Sequence, residues 1–410
     1  MEKVTYPDNS LEAAPTAMTP VEVCMLLLNP ARNDYRVMRD ATALVEAGFI
    51  VTIVDVEGER TRPVEEVIDG VHLQHIFMPS WFISERFKPW FLVKLALLTL
   101  LGTVRLLRIP ADIYHAHVER ALLACYIAAR LRRKPLIFDS PDLPFEDPSY
   151  TRWRSLTAIA TRLFTYMLPR CEGVITSSPP NAEVLQKRYH TPEVTLIRNV
   201  PVYRAVSKSD RLRQHLDLSP GTCIALYQGL LLPSRRLDIL VRAAKFLEPN
   251  IVIVIMGKDF KGIKSQLEAL IASEGVADRV KIIPPVPAYE EVPEWTASAD
   301  IGLILYNPGY SLNVKLLLPN KLFEYMMAGL PVLASQLDAI AEVIRTNDIG
   351  QILTSVDPAE VAAAINKMLA DPVALSRMSR NGLVAAEQEF RWEKESPKLV
   401  RLYHDILERR

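Results

Sequence analysis

The stretch "LPNKLFEYMMAGLPVLAS", residues 318–335, sets Asn320, Lys321 and Glu324 just ahead of an apolar run that ends in small residues. Pro319 and Asn320 are helix-starting residues, and Gly329 is a natural stop just past the helix end. The run 330–335 is too apolar to face water on both sides and reads as a buried strand. The polar triplet therefore opens a helix packed beside that strand. Lys321 and Glu324 stand three apart and share a helix face. A carboxylate there offers two acceptor oxygens to vicinal hydroxyls such as those of a ribose, and the lysine beside it suits a phosphate. The plainer reading of the same spacing is an intrahelical ion pair of about 0.2–0.5 kcal/mol.

The same alternation runs outward in both directions. Strands are expected at 222–229, 251–257, 280–284, 300–306, 331–335 and 350–353, with helices between them and over 357–388. Upstream they are expected at 21–28, 50–56, 71–77, 112–117, 135–139, 173–177 and 194–198, with helical patterns at 35–47, 119–131 and 150–169. Near-continuous apolar strands separated by helices mean parallel sheets covered on both faces. The polar segment around 199–220 breaks the alternation. The predicted organisation is a flexible leader (1–20), a first domain (21–200), a linker (201–220), a second domain (221–389) and a C-terminal helix (390–410) packing back on the first. The fold class is α/β, two tandem doubly wound domains, as a chain of 410 residues permits. Ligands of such sheets sit at the carboxyl ends of the strands, and two facing domains make a cleft there.

Bulk composition removes several classes. Lys plus Arg and Asp plus Glu both number 48, so the basic excess of a nucleic-acid binder is missing. Cys24, Cys125, Cys171 and Cys223 are scattered without metal-ligand spacing, and reduced thiols in a cytosolic protein are their simplest account. The first strand is followed by "NPARNDYRV" rather than a glycine-rich dinucleotide loop, and "MGKDFKG" (256–262) lacks the frame of a P-loop. The stretch 89–107, "PWFLVKLALLTLLGTVRLL", is too often interrupted by charge to span a bilayer. It reads either as a helix buried in the first domain or as one dipping into a membrane interface, with Trp81, Phe82, Trp90 and Phe91 as anchors.

In "YQGLLLPSRRLDILVRAA" (227–244), Arg235 and Arg236 fall where a helix begins after a strand and Gly229. Two guanidiniums at a helix N-terminus make an anion site, although a solvated pair, one partner held by Asp238, has the same signature.

Taken together, "PNKLFEYMMAGLPVLAS", "YQGLLLPSRRLDIL" and "DIGLILYNP" resemble the nucleotide-sugar half of the GT-B glycosyltransferases, above all the retaining family 4. "RNDYRVMRDATALVEAGFIVTIVDV" (32–56) and "ADIYHAHVERALLACYIAARLRRKPLIFDSPDL" (111–143) resemble the opening and central units of the same group's first domain. The likeness covers roughly 21–405, with the motifs in order. It implies a nucleoside-diphosphate sugar held by the C-terminal domain, a saccharide or lipid-linked acceptor held by the N-terminal one, retention of configuration, and no cofactor or required metal. Carried over residue by residue, Glu324 matches the glutamate on the donor ribose, and Arg235 and Arg236 match basic residues on the diphosphate. Asn320 and Lys321 face the diphosphate or donor sugar, the backbone at Val286 holds the base, and His117 lies near the reacting sugar. A buried histidine ending a strand is the plainer reading of His117. Leu316 stands where many relatives carry a second glutamate, and the groups able to do its work are Asn313 and Lys315 or the triplet Asn320, Lys321 and Glu324 itself. Asn33, Asp34 and Arg36 occupy the acceptor-side loop where glycines are usual. A nucleotide-sugar 2-epimerase, a non-catalytic partner subunit and a membrane-surface scaffold contacting lipid through 81–108 are the competing readings.

Overall fold

The computed structural model describes residues 20–409 apart from 59, 61, 80–87, 147, 149, 151–153, 192, 261 and 287–290, and of 88–92 the backbone alone. The expected leader, bar residue 20, and the proposed anchors Trp81 and Phe82 lie outside the described residues, as do the side chains of Trp90 and Phe91.

Strands β1 (Glu22–Leu26), β2 (Ile50–Glu57), β3 (Glu65–Ile68), β4 (Val71–Phe77), β5 (Ile113–His117), β6 (Leu136–Ser140), β7 (Gly173–Thr176) and β8 (Thr195–Leu196) form one sheet in the order β3-β4-β2-β1-β5-β6-β7-β8. All neighbours are parallel except β3 against β4. Strands β9 (Cys223–Gln228), β10 (Ile251–Met256), β11 (Val280–Ile283), β12 (Ile301–Ile304), β13 (Val332–Ser335) and β14 (Gly350–Leu353) form a second, wholly parallel sheet in the order β11-β10-β9-β12-β13-β14. Every strand expected from the sequence is present within two residues at each end. The unexpected β3, "EEVI", is a short, half-exposed antiparallel edge with no apolar run to announce it.

Alternation along β1 shows how both faces are covered. Val23, Met25 and Leu27 point into one core, with Val37 and Leu44 of the helix Tyr35–Glu46 and Leu399, Tyr403 and Ile406 of the final helix Trp392–Glu408. Cys24 and Leu26 point into the other, with Leu106, Ala121, Cys125 and Phe164 from three further helices. One of those three, Lys88–Arg108, corrects the expectation of a helix buried in the core: Val93, Leu97, Leu100 and Val104 are exposed on its outer face. Among the described residues, no helix is long and apolar enough to cross a membrane.

The helix Asn320–Met327 is anchored from below. Its Tyr325 is fully buried, and its hydroxyl donates to the Leu226 carbonyl (3.1 Å) and accepts from the Gln228 amide (3.0 Å), both on β9. The ring lies over Gly302 of β12 so closely that a Cβ there would meet Tyr325 Cδ2 at 2.3 Å. Gly329, with φ of +66°, then turns the chain into β13. Gly302→Ala is therefore expected to cost about 1–3 kcal/mol through overpacking. Gly221→Ala, where an added Cβ meets nothing within 4 Å, is the control with little effect. Urea unfolding of the two variants makes the comparison, and equal midpoints would refute the packing argument.

Candidate functional site

The strand ends of the two sheets face a cleft of about 1310 Å³ lined by both domains. Of the residues given a site role from the sequence, Arg236 does not line it; His117, Arg235, Lys321, Glu324, Asn320, Val286, Asn313, Asn33, Asp34 and Arg36 do.

On the C-terminal side the floor is backbone. Gly229 follows β9 with φ of +126°, and Gly257 follows β10 so tightly that a Cβ on it would lie 1.8 Å from the Gly229 carbonyl oxygen. Lys321 comes in over this floor. It is 8% exposed, its Nζ sits 3.8 Å from the Tyr227 ring centroid, and that Nζ makes no hydrogen bond. Arg235 ends the turn Pro233–Arg235, its guanidinium 4.1 Å from the Tyr306 ring centroid, with Nε and Nη1 buried and unbonded. Aromatic faces offset part of the cost of burying a cation but supply no acceptor. Burial first, and the Arg235 charge second, hold the Lys321 ammonium well below the usual lysine range. Two cations with idle donors at the head of a helix form a site in need of an anion with several acceptor oxygens. Glu324, one turn further on, accepts from the Gln228 amide nitrogen, and Gln228 Oε1 accepts from Thr296 Oγ1 (2.7 Å). That chain fixes the carboxylate at the cleft wall. Asn320 is the first residue of the helix, whose start has no side-chain cap.

Arg236 is corrected by the backbone. It takes the left-handed conformation (φ 49°), which turns it away from Arg235, and its Nε bonds Asp238 (3.3 Å). Asn313 is corrected too: its Oδ1 accepts from the Leu143 amide (2.7 Å) and its Nδ2 donates to the Leu143 carbonyl (3.1 Å), which spends both ends on the opposite domain. Leu316 joins the N-terminal core, and its carbonyl accepts from Ser178 Oγ (3.0 Å).

On the N-terminal side, β5 and β6 set His117 and Asp139 directly abreast. His117 is buried, with Nδ1 3.4 Å from Asp139 Oδ2 and its ring 4.1 Å from that of His115. His115 Nδ1 in turn meets the Tyr403 hydroxyl at 2.7 Å. The following residue, Val118, is a β-branched residue at φ 60°, a strained backbone at the cleft lip. Arg36 is corrected from acceptor contact to support: it grips both Asp139 oxygens at 2.8 Å and donates to the Ile197 carbonyl (3.1 Å). Asp34 caps the helix Tyr35–Glu46 through the Val37 amide (3.2 Å), so it too has a structural task, while Asn33 ends the preceding turn. Asp139, Gln228 and Tyr306 were not named from the sequence, and the available signal was a polar residue closing an apolar strand at its carboxyl end.

Burial alone would raise the Asp139 carboxyl, but Arg36 and His117 hold it far below the ordinary range. Asp40, a helical turn beyond Arg36, has the opposite fate: fully buried with neither oxygen hydrogen-bonded, it is pushed up to about 6 by burial despite Arg36. Its folded form binds the proton more tightly than the unfolded chain, so its contribution to stability falls as pH rises from about 4 to about 6. Asp40→Asn is expected to be more stable than wild type at about pH 7.5, the advantage shrinking toward about pH 4.5. Urea unfolding at both values measures it, and equal stability at the higher pH would show that Asp40 ionises there without cost.

Among the described residues, the one grouping with metal-ligand spacing, Asp55, Glu57 and His75, does not line the cleft. His75 has both ring nitrogens engaged, by Asp55 (2.5 Å) and Glu66 (3.0 Å).

Two Rossmann-like domains with a cation-lined cleft between their strand ends define the GT-B architecture. Residues 36–200 match the family model described as Glycosyltransferase Family 4, and residues 208–384 match Glycosyl transferases group 1. Each model takes one domain, in the expected order, and the chain belongs to the GT-B glycosyltransferases. It is 25% identical over 402 residues to D-inositol 3-phosphate glycosyltransferase 1 of Catenulispora acidiphila, which covers 91% of this chain and 90% of the relative. With the Thermobispora bispora protein of the same description, identity is 27% over 254 residues, 58% of this chain and 57% of that one. The chain spans about half the length of the first curated relatives it matches. Solved structures share the fold: sucrose-phosphate synthase of Thermosynechococcus elongatus (TM-score 0.76, 16% identity, 95% of this chain and 100% of that one) and Anabaena HepE in complex with UDP and glucose (0.72, 16%, 95% and 100%).

Proposed function

We propose that this protein transfers a hexose or N-acetylhexosamine from a nucleoside-diphosphate donor to a hydroxyl acceptor with retention of configuration. The observation that carries the reading is the pair of buried, unbonded cations Lys321 and Arg235 beside the anchored carboxylate of Glu324. The diphosphate would take the two cations and the helix N-terminus, and Glu324 would take the ribose hydroxyls. The backbone near Val286 would face the base. The bound UDP and glucose named for HepE support testing uridine donors first.

The scissile bond joins the sugar to a diphosphate, so stabilising charge on that leaving group is the main lever. Two fixed cations in a dry site supply it, and we propose that no metal ion is required. The acceptor would enter from the His117 side. Neither Asp139 nor Glu324 is free to act as a nucleophile: Asp139 has both oxygens on Arg36, and Glu324 is held by Gln228. A front-face transfer through an ion-pair-like transition state follows; a trapped glycosyl-enzyme adduct would overturn it. Closure of the domains over the donor limits hydrolysis.

The first test is thermal shift with UDP-, GDP-, ADP- and dTDP-sugars. A nucleotide at 100 times its dissociation constant stabilises by about 2.7 kcal/mol, and Glu324→Ala is expected to abolish most of the shift. No shift of the wild type with any nucleotide would sink the donor site. A second test follows from the lowered Lys321 ammonium. A bound diphosphate favours its charged form, so binding should take up protons and weaken as pH rises. Calorimetry in buffers of different ionisation enthalpy reads this uptake, and an unchanged uptake in Lys321→Gln would assign it elsewhere.

A further inference from the structure

Three helices cover one face of the first sheet side by side: Lys88–Arg108, Val118–Arg132 and Arg154–Met167. A covering layer ordinarily turns its polar side outward. This one does not. Along the first helix Leu97, Leu100 and Val104 recur at helical spacing on the solvent side, with Leu100 60% exposed. The second adds Ile127 and Leu131, the latter 66% exposed, and the third adds Ile159, Leu163 and Tyr166. Three outward apolar stripes on adjacent helices make one continuous face, of the kind that marks an interaction surface.

The charge on this face is one-sided. The three helices carry nine basic residues and a single acidic one, Glu119, in a chain whose total charge is zero. Glu119 is itself bonded to the Tyr150 hydroxyl. Among the described residues, Arg108, Arg130, Arg132 and Arg162 have no carboxylate partner, nor does Arg170 just beyond the third helix. Arg170 lies 3.8 Å from the Tyr166 ring centroid and Arg130 lies 5.1 Å from that of Tyr126, so guanidiniums sit among the rings.

We propose that this three-helix face docks on the surface of an anionic lipid bilayer. Apolar side chains inserted at the headgroup boundary and arginines against lipid phosphates are the two contributions such binding sums. A second copy of the chain fits poorly, because a two-fold contact would set the same basic face against itself. The face differs from the short anchor expected from the sequence: it extends over three helices and does not depend on the aromatic residues at 81–91. The opposite face of the sheet, covered by Tyr35–Glu46 and Trp392–Glu408, stays in water.

The test is co-sedimentation of the full chain with phosphatidylcholine vesicles, with and without phosphatidylglycerol. Wild type is expected to bind the anionic vesicles and not the neutral ones. Each basic residue at such a surface contributes about fivefold, so Arg108→Glu combined with Arg162→Glu should weaken binding by about 25-fold or more. Leu97→Gln with Leu100→Gln should weaken it as well. Arg401→Glu, exposed on the final helix, should leave it unchanged. Nucleotide thermal shifts by all variants should match wild type, since the donor side lies in the other domain. No binding by wild type to anionic vesicles, or equal binding by all variants, would overturn the proposal. So would a dimer in solution that Leu100→Gln dissolves without any vesicle binding, which would give the face to a second copy.

Discussion

The cleft's C-terminal wall is arranged around two basic side chains buried with no hydrogen-bond partner for the Lys321 Nζ or for Nε and Nη1 of Arg235. Lys321 and Arg235 rest on tyrosine rings that soften their burial and leave their donors idle. Burial of this kind is unfavourable and persists only where surrounding structure over-determines it. Here that structure is the Tyr325 hydroxyl clamped on β9, the backbone contact of Gly229 with Gly257, and the Gln228 bridge to Glu324. An anionic ligand would supply the acceptors that these buried donors lack.

The sequence carries most of the fold because apolar strand runs are long enough to be seen against polar helices. It misses β3, whose two glutamates and half-exposed edge give no apolar period. The grouping of Lys321 with Glu324 at the cleft was legible for a related reason: they lie on one helix face, and helical spacing survives folding. Arg236 was not, since adjacent arginines look alike until a single left-handed residue sends one of them to Asp238. The N-terminal side was harder still. Asn33, Asp34 and Arg36 are polar residues in the right loop, yet a helix cap and the Asp139 clamp claim two of them, and nothing local distinguishes a cap or a buried pair from a binding group.

The segment 311–318 shows a third kind of failure. Read locally, Asn313 is a free polar group near a donor site and Leu316 a missing glutamate. In the folded chain they act together as a contact between domains, one through paired hydrogen bonds to Leu143 and the other by joining the N-terminal core. Contacts separated by about 170 residues leave no trace in spacing. The same segment therefore links the C-terminal wall of the cleft to the relative position of the two halves.

The final helix has a bearing on how such a two-domain chain could be taken apart. Trp392–Glu408 follows the C-terminal domain in sequence, yet Leu399, Tyr403 and Ile406 fill the N-terminal core, and Glu395 is buried against Arg198. Tyr403 also reaches the histidine pair that ends at the cleft. The first domain is thus discontinuous, and a single cut at the linker would separate it from part of its own interior. Exchange of C-terminal halves between relatives, by recombination or by design, would have to cut twice and leave this helix with the N-terminal half.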